Sequence, residues 1–499
     1  MKPRRAAGVA PALLALALAS GCATFAPERL VGPGWIELTS GGLAIVTNVG
    51  EPRARELASR LAWFRSILAR HAGAPEQLPR VPTAIYVDTS FERFRDLIGR
   101  RRALGVFMPG VDGNQLALHD DGSGRGLEVL LHEYAHFLLR NQRRFHYPRW
   151  YHEGFAEFVA PVFSGDRPAL GNLNRMRFRR GMRLLGLADL MREPPQRVDA
   201  GLFYGTAWLL VHYLHLSGAD GGPQRLPQLR SYLKLCSEGA TSEAAFAASF
   251  DVPLAALERE LRAYARRDSF HRLVLEEQGA AADPPASLRA LAPAEVAVRL
   301  GDVALAAREP KLAIAYHRAA LGASEGDARA LAGLGAAASQ QLRHAEARGF
   351  YRRALAAGPV DARLLAAYAG ALARRAERAG PAGAAERAEA QDLYRRAIAL
   401  DPGSAAAHAG LGTSLLEQPA PDFAAAVAAL ERACEILASE SAILYQLARA
   451  YVGVERFGEA RRLLADVLAW EEHAGFGPEA RALLRQIAAL EAPRQLDNP

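Results

Sequence analysis

Three stretches in the C-terminal part of the chain repeat one another: AYHRAAL (315–321), FYRRAL (350–355) and LYRRAI (393–398). A small residue recurs at the same place in each stretch, and equivalent places continue toward the C-terminus. These places are Ala320, Ala354, Ala397, Ala433 and Val467, and the intervals between them are 34, 43, 36 and 34. Such a period is typical of stacked helix pairs, because a single helical hairpin cannot bury its apolar face alone.

Glycines and prolines follow the same period. Gly301 and Gly335 are separated by the same interval as Ala320 and Ala354, and Pro359 and Pro402 each fall five positions after the small residue of their unit. This pattern resembles the tetratricopeptide repeat (TPR), and an insertion at 375–390 explains the longer spacing. The resemblance implies an all-α TPR solenoid of about five repeats at 294–471, followed by a capping helix and tail at 472–499. Its surface would bind protein partners. A generic alanine-rich helix bundle is the alternative.

The composition excludes several classes of protein. With 499 residues, 50% of them hydrophobic and only 3 cysteines, the chain is neither disordered nor a disulfide scaffold. The formal net charge of +7 is a weak basic excess, and no nucleic-acid partner is predicted from it. We therefore expect a protein of two to four folded domains.

The N-terminus has the pattern of an export signal. A basic start is followed by a short apolar run, and Ala19-Ser20-Gly21 precedes Cys22. The pattern resembles a bacterial lipobox, which implies a signal peptide at 1–21, lipidation of Cys22 and a tether at 22–34. With Ala23 next, the resemblance implies the outer membrane, facing the periplasm. An ordinary signal peptide with an incidental cysteine is the alternative.

Residues 35–275 predict a mixed α/β unit followed by a helical subdomain. Short β-type runs and two helical periodicities precede residue 120, and nearly everything from 125 to 270 is helical. The β-type runs are WIEL, LAIVTNV, TAIYVDT, GVFMP and NQLALH, and the helical stretches are 51–72 and 91–98. Residues 276–293 carry Pro-Pro and lose periodicity, so we expect a linker there.

His132-Glu133-Tyr134-Ala135-His136 forms an H-E-x-x-H motif. Residues at i and i+4 share a helix face, so the two imidazoles can converge on one metal ion, with Glu133 beside them. Apolar neighbours on both sides predict a buried helix. A helix with two structural histidines is the alternative.

A second motif, WYHEGFAEF (150–158), supplies two further carboxylates. A zinc site with two histidines needs a third ligand from another helix and an open position for water. Glu153 suits the third ligand, because only residues 137–152 separate it from His136. Glu157, one turn later, could accept the remaining N–H of a ligand histidine, or could itself be the ligand.

Together the two motifs resemble the gluzincin metallopeptidases, most closely the aminopeptidase-N-like clan of thermolysin-like α+β fold. The resemblance implies one Zn²⁺ per chain, bound by His132, His136 and Glu153, with Glu133 as the general base. Tyr204, in FYGTAWLL (203–210), matches the clan's oxyanion-stabilising tyrosine. A core aromatic at the start of a helix is the alternative for Tyr204.

The sequence departs from that clan in the strand before the site. GVFMP (105–109) stands where the aminopeptidases carry G-x-M-E-N, so the glutamate that holds a substrate's free amino terminus is absent. This difference favours an endopeptidase. We interpret NQLALH (114–119) as an edge strand for a peptide substrate.

The sequence therefore predicts a lipid-anchored zinc endopeptidase of the bacterial envelope, with repeats that recruit substrate or partner proteins. The substrate could be a protein or a peptidoglycan peptide. The alternative is an envelope assembly or scaffold lipoprotein that acts through its repeats, with a weak or inactive protease domain.

Overall fold

The computed structural model describes most of the chain from residue 30 onward. The predicted signal peptide, Cys22 and most of the tether lie outside the described residues, as does most of the predicted linker. The described residues are 30–72, 82–99, 103–111, 113–140, 147–173, 178–179, 181–192, 199–238, 240–275, 286–437, 440–469 and 476–491. Within the described ranges, no helix combines the length and the apolar composition that spanning a bilayer requires.

The chain divides into two compact units, which combine distant segments. The first unit draws on Met1–Ala62, Arg80–Gly126 and Asp283–Pro421, and the second on Trp63–Pro79, Leu127–Ala282 and Asp422–Pro499. These units do not follow the predicted domain boundaries at 35–275 and 294–471. The predicted peptidase segment contributes to both units, and so does the predicted repeat segment.

A mixed six-stranded sheet forms one part of the first unit. Its strands are β1 (Ile36–Ser40), β2 (Leu43–Thr47), β3 (Thr83–Asp88), β4 (Gly105–Met108), β5 (Asn114–His119) and β8 (Ala286–Ala290). Their order in the sheet is β4-β5-β3-β2-β1-β8, with β2, β3 and β5 parallel and the other pairings antiparallel. The interpretation of NQLALH as an edge strand is wrong, because β4 pairs with β5 and itself forms the edge.

The last strand corrects the predicted linker. Residues 286–290 pair with β1 in register from Ile36 to Ser40. Its sequence, ASLRA, is short and mostly exposed, so no apolar alternation marks it as a strand. Arg289 and Arg299 both bind the Glu37 carboxylate, which ties β8 and the following helix to β1.

The repeat helices of the first unit share a core with this sheet. Val46, Tyr86 and Phe94 pack in one cluster with Val296 and Tyr316 of the first helix pair. Helix α1 (Glu51–Ala72) continues into the second unit, and α2 (Phe91–Ile98) belongs to this one. The repeat helices here are α10 (Pro293–Ala306), α11 (Pro310–Ala323), α12 (Ala328–Gln340), α13 (His344–Ala357), α14 (Ala362–Ala379), α15 (Ala384–Leu400) and α16 (Ala405–Leu416).

The second unit is almost entirely helical. A two-stranded ribbon of β6 (Ala169–Leu170) and β7 (Leu273–Val274) is its only sheet among the described residues. The helices of the predicted peptidase segment are α3 (Arg125–Arg140, whose first two residues belong to the first unit), α4 (Arg149–Val159), α5 (Leu187–Leu190), α6 (Ala200–Leu216), α7 (Leu226–Ser237), α8 (Ser242–Ser249) and α9 (Leu254–Tyr264). Four later helices complete the unit: α17 (Phe423–Ile436), α18 (Ser441–Gly453), α19 (Phe457–Ala469) and α20 (Gly477–Glu491).

Candidate metal centre

Helix α3 carries the H-E-x-x-H motif. Leu130, Leu131 and Phe137 of this helix are fully buried, so its apolar faces fix its position in the second unit. His132 and His136 are one turn apart, and their ring centroids lie 4.6 Å from each other. The helix therefore turns both imidazoles toward the same point.

Helix α4 carries Glu153 and packs closely on α6. At Gly154 a Cβ atom would lie 2.6 Å from the carbonyl oxygen of Ala207, which is closer than real Cβ atoms approach backbone. Only glycine permits this approach of the two helix backbones. The close packing holds Glu153, the preceding residue, on a rigid element.

Three donor atoms converge in the way the sequence predicts. Nε2 of His132 and Nε2 of His136 are 3.0 Å apart, and Oε2 of Glu153 lies 3.7 Å and 3.4 Å from them, respectively. Zinc bonds of 2.0–2.2 Å in a tetrahedral arrangement place donor atoms about 3.4 Å apart. Among the described residues, this is the one group of three His, Cys, Asp or Glu side chains with the spacing of a metal site.

The residues behind the imidazoles fit a metal as well. Oε1 of Glu157 lies 3.6 Å from Nδ1 of His132, and Glu157 is buried. An ionised carboxylate only accepts hydrogen bonds, so it favours the tautomer of His132 with the proton on Nδ1. That tautomer turns the Nε2 lone pair toward the centre, where it faces the other two donors.

His136 has a different outer neighbour, His152. The two Nδ1 atoms are 2.8 Å apart, and the rings are nearly parallel, with an interplanar angle of 8°. One of the two Nδ1 atoms must carry the shared proton. When His136 carries it, the lone pair on its Nε2 is free for a metal ion.

The electrostatics of the cluster favour ionised Glu153 and bound positive charge. Burial alone would raise the pKa of Glu153, but His136 and the other nearby imidazoles outweigh it and hold the pKa well below its usual range. Burial alone would lower the pKa of His136, but Glu153, with Glu133 and Glu157, leaves it raised above its ordinary value. The carboxylates of Glu153, Glu133 and Glu157 thus act together to favour positive charge at His136.

Of the two predicted catalytic residues, Glu133 lies on α3 with the two histidines, and Tyr204 lies on α6, which packs against α4. Glu133 follows His132 on α3 and is close enough to raise the pKa of His136. Tyr204 is partly buried on α6, one turn before Ala207, the residue that contacts Gly154. Its ring packs edge-on against Phe203, at 5.7 Å between centroids.

Sequence reasoning missed two features of the centre. No pattern in the sequence marks His152, which directly precedes Glu153 and contacts His136. The role of Gly154 was also missed, because its partner Ala207 lies on a helix that is distant in the sequence. An isolated glycine inside a helical pattern is the one signal that could have pointed to a close approach.

Comparisons with known proteins found solved structures of TPR proteins. No family model matches the chain, and no curated protein matches it. Among solved structures, YrrB, described as a TPR protein with an unusual peptide-binding site, is 17% identical over 37% of this chain and 90% of its own, with a TM-score of 0.29. TTC0263, a thermophilic TPR protein of Thermus thermophilus, is 20% identical over 39% and 99%, with a TM-score of 0.33. PilF of Pseudomonas aeruginosa is 20% identical over 40% and 89%, with a TM-score of 0.32.

Proposed function

We propose that this protein is a zinc-dependent peptidase of the bacterial cell envelope, most simply an endopeptidase. The observation that carries the proposal is the convergence of three donor atoms from His132, His136 and Glu153. Two imidazoles and one carboxylate form a donor set used by catalytic zinc sites, which keep a fourth position open for water. The buried Glu157 behind His132 supports the same assignment.

Each residue of the centre would have a distinct task. Zn²⁺ bound there would act as a Lewis acid and would lower the pKa of a water molecule toward neutrality. Glu133 would accept the proton of the attacking water and pass it to the leaving amine. Tyr204 would donate a hydrogen bond to the developing oxyanion. Glu157 and His152 would hold the two imidazoles in the ligating tautomer.

The remaining parts of the proposal come from the sequence. The stretch GVFMP, whose first four residues form β4, lacks a glutamate for a free substrate amino terminus, which favours cleavage inside a peptide. The signal pattern ending at Cys22 favours an outer-membrane lipoprotein that faces the periplasm. The repeat helices would recruit the substrate or a partner protein.

The test combines metal analysis with one substitution. We expect about one zinc ion per chain, and cleavage of casein that zinc chelation abolishes. Glu133→Gln should retain zinc but lower the cleavage rate by about 100-fold or more, because the general base is lost. Glu243→Gln, at an exposed helix residue, is the matched control and should change neither quantity.

The alternative is an envelope assembly or scaffold protein that acts through its repeats. The specific observation in its favour is that solved structures found by comparison carry the name of TPR proteins. It would be the better assignment if the chain binds zinc but cleaves neither casein nor peptidoglycan peptides. It would also be favoured if Glu133→Gln leaves cleavage unchanged.

A further inference from the structure

The insertion in the third repeat lengthens helix α14. This helix has 18 residues, whereas α10 and α12, which hold the same place in the two preceding repeats, have 14 and 13. Arg374 is the last residue of α14 that falls within the length of α12, and Arg378 lies one turn further, inside the inserted sequence. The insertion therefore adds basic residues to the end of one repeat helix.

The C-terminal end of α14 contacts the turn between α12 and α13. Nη2 of Arg374 donates a hydrogen bond of 3.0 Å to Oγ of Ser339, near the end of α12. Nη1 of Arg378 donates one of 3.2 Å to Nε2 of His344, the first residue of α13. Because a guanidinium group only donates, His344 accepts at Nε2 and is neutral. The two guanidinium groups are thus held at the two ends of one short turn.

The charges of Arg374 and Arg378 are not balanced by carboxylates, although those of their neighbours are. Within the described part of the chain, neither residue forms an ion pair, and both are exposed. The exposed Glu377, between them on α14, pairs with neither. Three neighbouring arginines each have a carboxylate partner: Arg343 with Glu346, Arg348 with Glu389, and Arg375 with Glu386.

The electrostatics at His344 show that these positive charges act at one place. Partial burial lowers the pKa of His344 below its ordinary value, and Arg378, Arg375 and Arg374 lower it further. Arg374 and Arg378 are also one turn apart on α14, and like charges at that spacing destabilise a helix. A bound anion would remove this repulsion.

The preceding repeat shows that the link between consecutive repeats does not need this charge. Gln340 holds in α12 the place that Arg374 holds in α14. Its Nε2 donates a hydrogen bond of 2.9 Å to the carbonyl oxygen of Leu305, which holds the place of Ser339 one repeat earlier. A neutral amide thus makes the same connection. The charge of Arg374 is therefore not required for packing and is available for binding.

We propose that Arg374 and Arg378 bind the carboxylates of an acidic segment of a partner protein. A guanidinium group binds a carboxylate through two parallel N–H···O hydrogen bonds. The two guanidinium groups are held on different residues of the turn, so each can bind its own carboxylate. An acidic peptide provides two such groups, whereas a single phosphate ion does not. This assignment rests on the recruiting role proposed for the repeats and does not depend on zinc chemistry.

Fluorescence anisotropy can measure the interaction with the chain from residue 23 onward, which contains every described residue. The chain carries Glu133→Gln, so that the proposed cleavage cannot remove the probe. The probe is a labelled peptide of four Glu-Gly-Ser units, and the comparison is the same peptide with Gln in place of Glu. We expect the Glu peptide to bind about tenfold more tightly or better, and less tightly at high salt.

Three pairs of substitutions identify the arginines. Arg374→Gln with Arg378→Gln keeps an amide donor at each place and should weaken binding of the Glu peptide by about tenfold or more. Arg352→Gln with Arg395→Gln removes the same charge from exposed positions of α13 and α15, and should leave binding nearly unchanged. Arg374→Glu with Arg378→Glu should instead bind the peptide that has Lys in place of Glu, a gain that an unfolded variant cannot show.

Three results would overturn the proposal. Equal losses for the two pairs of Gln variants would show a general charge effect. Equal binding of the Glu and Gln peptides would show that carboxylates are not recognised. Inorganic phosphate that displaces the Glu peptide at concentrations near the dissociation constant of the peptide would identify a site for a single anion. None of these measurements uses zinc content or casein cleavage, so a failure of the proposed peptidase activity would not be mistaken for a failure of this site.

Discussion

At the scale of single residues, the candidate centre depends on the groups behind its ligands. Glu157 and His152 face the outer nitrogens of His132 and His136, and both come from α4, the helix that carries Glu153. One short helix therefore carries one of the three proposed ligands and the groups that face the other two. Outer contacts of this kind commonly change metal affinity by about 10–100-fold when they are removed.

His152 gives the first prediction. His152→Ala should weaken zinc binding by about 10–100-fold, because the ring of His136 loses the partner that fixes its tautomer. His152→Asn, which keeps a hydrogen-bonding group, should recover part of that affinity. Competition with a chromogenic zinc chelator measures both values. His408→Ala, in a repeat helix, is the control, and a loss of affinity in the control equal to that of His152→Ala would contradict the positioning role.

Gly154 gives the second prediction. In Gly154→Ala the new Cβ would meet backbone atoms of Ala207 at 2.6 Å and 2.8 Å, so α4 and α6 must move apart. We expect a loss of about 1–3 kcal/mol in the free energy of unfolding, and weaker zinc binding as Glu153 moves. In Gly349→Ala the new Cβ would meet nothing within 4 Å, so this change should stabilise its helix by up to about 1 kcal/mol. Chemical denaturation measures both, and equal effects of the two substitutions would refute the argument.

At the scale of elements, repeat geometry explains which small residues recur. The ring of Tyr351 packs on Gly335, and that of Tyr394 on Gly410. His317 holds the place of Tyr351 one repeat earlier, and its ring packs between Gly301 and Gly333. Each ring fills the space that a glycine on a neighbouring helix leaves open. The first repeat is exceptional because its buried ring is a histidine.

His317 should make the stability of the repeats depend on pH. Burial lowers the pKa of His317 below its ordinary value. Asp302, whose Oδ1 lies 3.8 Å from Nε2 of His317, raises the pKa but does not outweigh burial. Asp327 also raises it, and Arg329 lowers it further. Its folded-state pKa is therefore below the unfolded value of about 6.5, and the unfolded chain binds the proton more readily. The free energy of unfolding should be highest above pH 6.5 and should fall as the pH drops toward the lower, folded-state pKa.

Denaturation of the wild type and of His317→Leu between pH 5 and pH 7.5 tests this prediction. Leucine occupies the equivalent buried place in the fourth repeat, at Leu430. The variant should lose the part of the pH dependence that comes from His317, whereas His408→Leu should keep it. Identical pH profiles for His317→Leu and the wild type would show that the histidine contributes nothing.

The sequence predicts local elements better than it predicts long-range packing. The β-type runs before residue 120 and the helices at 51–72 and 91–98 are confirmed, because their periodicity lies within each element. The insertion also has a structural counterpart, since α14 and α15 are longer than the other helices of the repeats. Strand β8 was missed, because its register depends on β1 and Glu37, which lie near the other end of the chain.

The candidate site also contains features that the sequence predicts locally and features that depend on long-range packing. The proximity of His132, His136 and Glu153 could be predicted because the H-E-x-x-H spacing and the helical position of Glu153 fix which faces the side chains occupy. The contact of His152 with His136 could not be predicted from the sequence, because it depends on how two helices cross. The approach of Ala207 to Gly154 depends on a third helix and left only an ambiguous signal in the sequence.

At the scale of the whole molecule, the first compact unit joins the sheet and the first repeats in one hydrophobic core. Tyr86, Phe94 and Val106 of the sheet region are buried together with Val296 and Tyr316 of the repeats. The sheet also takes its edge strand β8 from the segment that leads into the repeats. The repeats are therefore part of the fold of the sheet, and their role cannot be restricted to recruiting partners.

A chain that ends at Leu275 tests this dependence. It retains the whole predicted peptidase segment, but it loses β8 and the repeat side of the core, so Tyr86 and Phe94 become exposed to water. We expect it to aggregate, or to unfold without a cooperative transition, since exposed apolar surface of this extent is a liability. A chain that ends at Glu491 removes only residues outside the described part, and it should unfold like the full chain.

Calorimetry and zinc analysis of the two truncated chains give separate answers. A cooperative transition and bound zinc in the chain ending at Leu275 would mean that residues 35–275 fold independently, as the sequence alone suggests. Loss of both in that chain, with both retained in the chain ending at Glu491, would show that folding requires the segments between residues 276 and 491, which include the repeats of the first unit and the last four helices of the second. In that case a disruptive substitution in the first repeats could lower the proposed activity by unfolding the chain, and a reduced rate alone would not identify a substrate-binding surface.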